Sequence, residues 1–171
     1  AAGLPRGQAV LKINTRKLLN GLLQSAGVET VGQKLAVLRA VDKLDRLGPD
    51  GVRLLLGEGR KDESGDFTKG AGLGAKAIVS VIAFTQAGLG GAERSVVLNR
   101  LADVIGGSAE GDEGLEELAR IDAALTGMGV GVDRAAFDPA VVRGLEYYTG
   151  AVFEAELLLE TLDDKGQPMR F

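Results

Sequence analysis

Apolar positions along this 171-residue chain repeat with two different periods, and the switch between them organises the sequence. Gln8 to Ile13 alternates in a β-rich run and predicts a strand. Asn14 or Thr15 then caps a helix over Arg16 to Ala26, with Leu18, Leu19, Leu22 and Leu23 as its apolar stripe and Gly27 as its stop. Arg16 and Lys17 fall in its first turn, the wrong end for a cation against the helix dipole, so another task is expected of them, such as meeting an anion. Thr30 caps a helix from Val31 to Leu47, with Leu35, Leu38, Val41 and Leu44 on one face, and Gly48-Pro49 stops it. A short helix over Asp50 to Leu56 follows, and the polar run from Glu58 to Lys69 reads as a solvent loop. Further helices are predicted over Ala75 to Gln86, Glu93 to Ile105 and Leu115 to Leu125, with Gly127, Gly129 and Gly131 as a linker.

Strand patterning returns from Ala135. The β-favouring runs Ala140-Val141-Val142 and Ala151-Val152-Phe153 flank an irregular break. Ala151 to Leu162 reads as a long strand, Asp163-Asp164-Lys165-Gly166 as a hairpin turn, and Gln167 to Phe171 as the start of its return. Thr30 to Met128 is therefore almost wholly helical and bracketed by strands. That pattern predicts a helical domain inserted into a sheet, with its two termini close together. Ala1 to Gly7 reads as a loop remnant, and with both chain ends falling inside a sheet the expectation is a piece of a larger protein.

Composition changes this picture mainly by exclusion. Apolar residues make up 45% and aromatics only 4%, so the core is aliphatic. No apolar run approaches the roughly 18 residues of a membrane span, and no basic-then-apolar leader opens the chain. No Cys is present, which removes disulfides and thiolate metal sites and favours the cytosol. No His is present either, which removes Ser-His-Asp and Cys-His nucleophile systems and Cys/His zinc sites from within the chain. Any metal would be a hard one held by carboxylates and phosphate oxygens; no metal site is expected from this chain's residues. The net charge of −4 hides an asymmetry: residues 1–61 hold 11 Lys/Arg against 5 Asp/Glu, and residues 62–171 hold 9 against 19. A basic first third can face phosphate.

Two loops imitate ligand motifs and fail on spacing. Gly70-Ala71-Gly72-Leu73-Gly74-Ala75-Lys76 lacks the four residues between glycines and the Lys-Ser or Lys-Thr ending of a phosphate loop, and no strand is predicted before it. Asp62, Glu63 and Asp66 do not fit a calcium loop.

The stretch that carries chemistry is Arg143-Gly144-Leu145-Glu146-Tyr147-Tyr148-Thr149-Gly150. It holds both tyrosines of the chain beside an arginine, offering a bidentate cation and two phenol hydroxyls to a small anionic ligand. On composition alone it also reads as an edge strand with two half-buried tyrosines. Its residue order, with Val152-Phe153-Glu154 following, resembles the Arg-Gly-Leu-Asp-Tyr-Tyr motif of the histidyl-tRNA synthetases. Lys12-Ile13-Asn14-Thr15-Arg16-Lys17-Leu18-Leu19-Asn20-Gly21 resembles the strand and helix after motif 2 of that family, and Leu38-Arg39-Ala40-Val41-Asp42-Lys43-Leu44-Asp45 the opening of its inserted helical domain.

The resemblance implies an α+β fold: a mostly helical inserted domain flanked by strands of an incomplete antiparallel class II synthetase sheet. The implied division is 1–29 and 131–171 for the catalytic core and 30–130 for the insertion. It implies a ligase that joins histidine to ATP, with Mg, and passes histidine to its tRNA. Arg143 would lie against the reacting carboxylate and α-phosphate as the catalytic cation. Leu145, Tyr147 and Tyr148 would belong to the histidine pocket. Glu146 departs from the family's aspartate by one methylene. The insertion would clamp the tRNA acceptor stem, with Arg39, Lys43, Arg46, Arg60, Lys61 and Lys69 as candidate phosphate contacts. A cytoplasmic homodimer is implied for the whole enzyme. Motifs 1, 2 and 3 and the anticodon-binding domain have no counterparts here, so the isolated chain is expected to be inactive and to bind neither ATP nor Mg by itself. Two alternatives stand beside this: the regulatory subunit of ATP phosphoribosyltransferase, and a helical module that only binds other proteins.

Overall fold

The computed structural model describes residues 7–28, 30–62, 64–105, 107–142, 149–158, 161–162 and 168–169. In chain order the elements are β1 (Ala9–Thr15), α1 (Arg16–Ser25), α2 (Val31–Val41), α3 (Leu44–Leu56), β2 (Gly59–Lys61), β3 (Phe67–Lys69), α4 (Ala75–Gln86), α5 (Arg94–Ile105), α6 (Ala109–Gly127), β4 (Ala135–Phe137), β5 (Ala151–Leu157), β6 (Thr161–Leu162) and β7 (Pro168–Met169). Among the described residues no helix is long and apolar enough to cross a membrane.

β1 is the middle strand of a three-stranded sheet. It pairs antiparallel with β5, from Ala9 opposite Leu157 to Thr15 opposite Ala151. On its other side it pairs in parallel with β4, from Leu11 opposite Ala135 to Ile13 opposite Phe137. The sheet is therefore mixed, which corrects the expected antiparallel arrangement. A parallel pair cannot be closed by a tight turn and needs a long crossover; α1 to α6 all lie on the crossover between β1 and β4.

α1 forms where the sequence predicts it. Leu18, Leu19, Leu22 and Leu23 are all at most 2% exposed, and burial of each is worth about 1.5–3 kcal/mol. That outweighs the misplaced cations of its first turn, since helix-dipole terms are only about 0.3–1 kcal/mol. Against α1 packs α6, at a spacing set by glycine: a Cβ on Gly21 would lie 2.5 Å from the Gly111 Cα. Ser108 caps α6 by accepting from the Gly111 N–H, and Glu110 and Asp112 sit favourably in its first turn.

Five element predictions change. The helix expected over 31–47 ends at Val41 and resumes at Leu44, and the break at Gly48 survives as a kink inside α3, where Gly48 adopts φ 64°. The expected solvent loop 58–69 contains a hairpin, with Arg60 opposite Thr68. α6 starts six residues before the expected Leu115, because Gly111 and Gly114 are packing glycines and not breakers. The expected strand 151–162 is β5 followed by β6, which pairs antiparallel with β7; the turn at 163–166 lies outside the described residues. Ala140-Val141-Val142 is not strand, although both valines are buried.

Candidate functional site

Residues 143–148, which carry Arg143, Leu145, Tyr147 and Tyr148, lie outside the described residues. Their two flanks are described, and both are fastened to one junction, where β1 ends and α1 begins.

On the entry side the chain leaves β4 at Phe137 and the Asp138 N–H donates to the Ile13 carbonyl at 2.9 Å, extending the parallel pairing by one residue. Asp138 Oδ1 accepts from the Ala140 N–H at 3.0 Å, an Asx-type turn. Asn14 is fully buried and spends its whole amide here. Its Nδ2 donates to the Pro139 carbonyl at 3.1 Å and to the Val141 carbonyl at 3.0 Å, while its Oδ1 accepts from the Thr15 N–H at 2.8 Å. On the exit side the Arg16 N–H donates to the Gly150 carbonyl at 3.2 Å, and Ala151 pairs with Thr15. Three consecutive residues, Asn14, Thr15 and Arg16, thus hold the chain on both sides of the hexapeptide.

Charge gathers around the same junction. Thr15 has the N-cap position of α1 but makes no capping bond; its buried hydroxyl donates to Glu117 Oε2 of α6 at 2.8 Å. Lys17 meets Glu113 of α6 at 3.4 Å, which answers the expectation of an anion for one of the two first-turn cations. The other, Arg16, has an Nη1 shielded from water with no hydrogen-bond partner among the described residues. Lys12 Nζ bridges Asp138 Oδ2 at 3.1 Å and Glu156 Oε2 at 3.0 Å, tying β1 to both of its neighbours. Desolvation would lower the Lys12 pKa, but the hydrogen bond that its ammonium donates to Glu156 and the charge of Asp138 outweigh it, so the pKa is raised.

The six candidate phosphate contacts divide between surfaces. Lys43, Arg46 and Arg60 line one open cavity of about 650 Å³ between α3 and the β2–β3 hairpin, with Asp62, Ser64 and Thr68. Strand alternation separates the rest. Arg60 and its partner Thr68 share one face of the hairpin, whereas Lys61 and Lys69 lie on the other with the exposed Phe67. Arg39 is exposed in the last turn of α2. The hydroxyl and backbone N–H of Ser64 and the backbone N–H of Asp66 donate to Asp62 Oδ1, and the Ser64 hydroxyl bond leads in holding the Asp62 pKa below its ordinary value. One carboxylate thus sits among three cations, and it is already occupied.

Sequence reading missed Asn14 as more than a cap, and it missed Glu117 altogether. An asparagine at the end of a strand has the right chemistry for bonding backbone across the fold, but nothing local distinguishes that use from capping. Among the described residues no cluster of three or more acidic side chains is arranged to hold a metal ion.

Comparison with known proteins gives the family. The family model described as histidyl-tRNA synthetase matches residues 2–156, a range that includes 143–148. A histidine–tRNA ligase of Caulobacter vibrioides is 70% identical over the whole chain, which covers 34% of that relative. The Brucella suis histidine–tRNA ligase is 52% identical over 99% of the chain, again 34% of the relative. The chain therefore spans about a third of the length of these curated relatives. The crystal structure of histidyl-tRNA synthetase from Nostoc sp. PCC 7120 superimposes with a TM-score of 0.69 at 27% identity, over 87% of this chain and 32% of that one. An ATP phosphoribosyltransferase regulatory subunit/histidyl-tRNA synthetase from Bacillus halodurans C shares the fold, with a TM-score of 0.62 at 19% identity over 99% of this chain and 36% of that one. The match over residues 2–156 is decisive: this chain belongs to the histidyl-tRNA synthetase family.

Proposed function

We propose that the chain is the middle segment of a histidine–tRNA ligase and that it supplies the histidine-recognition motif and a phosphate-binding groove for tRNA. The observation that carries the reading is the family match across residues 2–156, with the Arg-Gly-Leu-Glu-Tyr-Tyr motif inside it. Relatives named histidine–tRNA ligase at 70% and 52% identity support this reading over the phosphoribosyltransferase regulatory subunit, for which the likeness extends to fold alone.

In this reading Arg143 neutralises charge developing on the α-phosphate and the histidine carboxylate, worth about 3–4 kcal/mol for a well-placed donor. Tyr147 and Tyr148, with Leu145, form the wall and polar contact of the imidazole pocket, where an unpaired hydroxyl rejects amino acids that cannot satisfy it. ATP and Mg take part in the reaction of the whole enzyme. The division into core segments 1–29 and 131–171 and a helical insertion over 30–130 belongs to the same reading, as do the cytoplasmic location and the homodimer.

The groove between α3 and the hairpin is the main tRNA contact, and Lys43, Arg46 and Arg60 are its phosphate ligands. Arg39, Lys61 and Lys69 contribute from adjoining surfaces. The test is a salt series of binding to histidine tRNA and to an unrelated tRNA, using the full-length protein that carries this chain. Charge reversal at Lys43, Arg46 and Arg60 should weaken binding and lower the salt slope by about two to three units. An unchanged slope in that variant would remove the groove from the tRNA interface.

A further inference from the structure

We infer that Asn14 is a positioning residue for the ligase reaction: its amide fixes the carbonyls of Pro139 and Val141 and so sets where the chain enters the motif that begins at Arg143. The inference rests on the proposed function and goes beyond it, since Asn14 belongs to none of the motif's own residues. Asn14 is 0% exposed, and all three of its bonds are backbone bonds, two of them spanning more than a hundred residues of sequence. No other side chain with comparable reach holds the Pro139 and Val141 carbonyls among the described residues. Arg143 follows Val141 by two residues, so a shift of those carbonyls passes directly along the chain to it. The junction residues beyond Asn14 secure the other flank through Gly150 and Ala151. Loss of the amide therefore frees the carbonyls of Pro139 and Val141 on the entry side, while Gly150 and Ala151 keep their bonds on the exit side.

An arginine that acts by placement loses rate steeply with displacement, about 10²-fold for 1 Å. Displacement of this kind lowers kcat more than it raises KM for histidine, because the ground-state complex depends less on the same contact. The experiment measures histidine-dependent ATP–pyrophosphate exchange by the full-length protein carrying this chain. Variants are Asn14→Asp, which keeps the acceptor and removes both donors, and the milder Asn14→Ser. Each is made alone and in an Arg143→Ala background. Gly21→Ala, remote from the motif, serves as a destabilised control.

The inference expects a loss in kcat of about 10-fold or more for the Asn14 variants, with KM changed by no more than about 3-fold. It expects less than about 3-fold further loss when Arg143 is already alanine. Equal losses in both backgrounds, or losses no greater than those of Gly21→Ala, would overturn it. Failure of both Asn14 variants to fold would assign Asn14 to stability alone and overturn it too. Absence of histidine-dependent exchange in the unsubstituted protein is a distinct outcome, which overturns the proposed function along with it.

Discussion

The Thr15 hydroxyl donates to Glu117 Oε2 at 2.8 Å, joining the end of the central strand to the middle of α6 across 102 residues of sequence. Thr15 is fully buried and Glu117 half-buried, so the bond is partly shielded from water. Hydrogen bonds to a charged acceptor contribute about 1.5–3 kcal/mol. Thr15→Val should cost about that much stability in chemical denaturation. Glu117→Gln, which keeps an acceptor at the same place, should cost less. Equal losses for the two variants would show that the bond owes its worth to the carboxylate's charge and that a neutral amide acceptor cannot replace it.

The α1–α6 contact gives a prediction whose sign depends on which effect wins. Alanine is favoured over glycine in a helix interior by about 1 kcal/mol. At Gly21, however, a Cβ would meet Gly111 backbone at 2.5 and 2.7 Å, and overpacking costs about 1–3 kcal/mol. Gly21→Ala should therefore destabilise. Gly127→Ala, at the open end of α6 with nothing within 4 Å of the new Cβ, should be neutral or stabilising. Thermal midpoints of the two variants check the pair.

Arg94 is a buried cation serving the fold and not the site. It is 5% exposed and donates to Asp122 at 2.6 Å, to the Ala135 carbonyl at 2.8 Å and to the Val130 carbonyl at 3.0 Å. These bonds join α5, α6 and the lead into β4. Arg94→Met should lose about 3–5 kcal/mol, the range for breaking one side of a buried pair. Arg94→Lys should recover only part of it, since an ammonium cannot reproduce the guanidinium fork. Urea unfolding of the three proteins provides the comparison.

Two charged groups predict opposite pH behaviour. The Lys12 pKa is raised above 10.5, so the stability it gives is complete below that value and is lost as pH rises through the folded pKa. The stability gap between the parent protein and Lys12→Met should therefore hold steady through neutral pH and close only in strong alkali. The Asp62 pKa is lowered below 3.8, so its contribution is present above that value and is lost as pH falls through the lower folded pKa. An NMR titration of the Asp62 carboxyl should give a midpoint under 3.8, and Ser64→Ala should move it upward.

What the sequence makes legible follows the reach of the forces involved. α4 is read to its bounds, Ala75–Gln86, because its limits come from local breakers and helical spacing. The leucine stripe of α1 is equally plain. The β2–β3 hairpin is hidden because its strands are three residues long and mostly polar, so no alternation of apolar positions marks them. Gly111 and Gly114 look like breakers locally, whereas their role is set by α1, about ninety residues earlier. Asn14 and Glu117 escape for the same reason: their partners are fixed by the crossover, not by neighbours in sequence. The parallel pairing of β1 with β4 is likewise a property of topology, and strand patterning carries no direction.

The central claim is that this chain carries the histidine-recognition motif of a ligase. The most direct measurement is attachment of labelled histidine to its tRNA by the full-length protein that carries the chain, beside Arg143→Ala. The account predicts histidine-specific charging that falls by about 10²–10³-fold when Arg143 is replaced. Charging that is absent with histidine, or unchanged in Arg143→Ala, would contradict it.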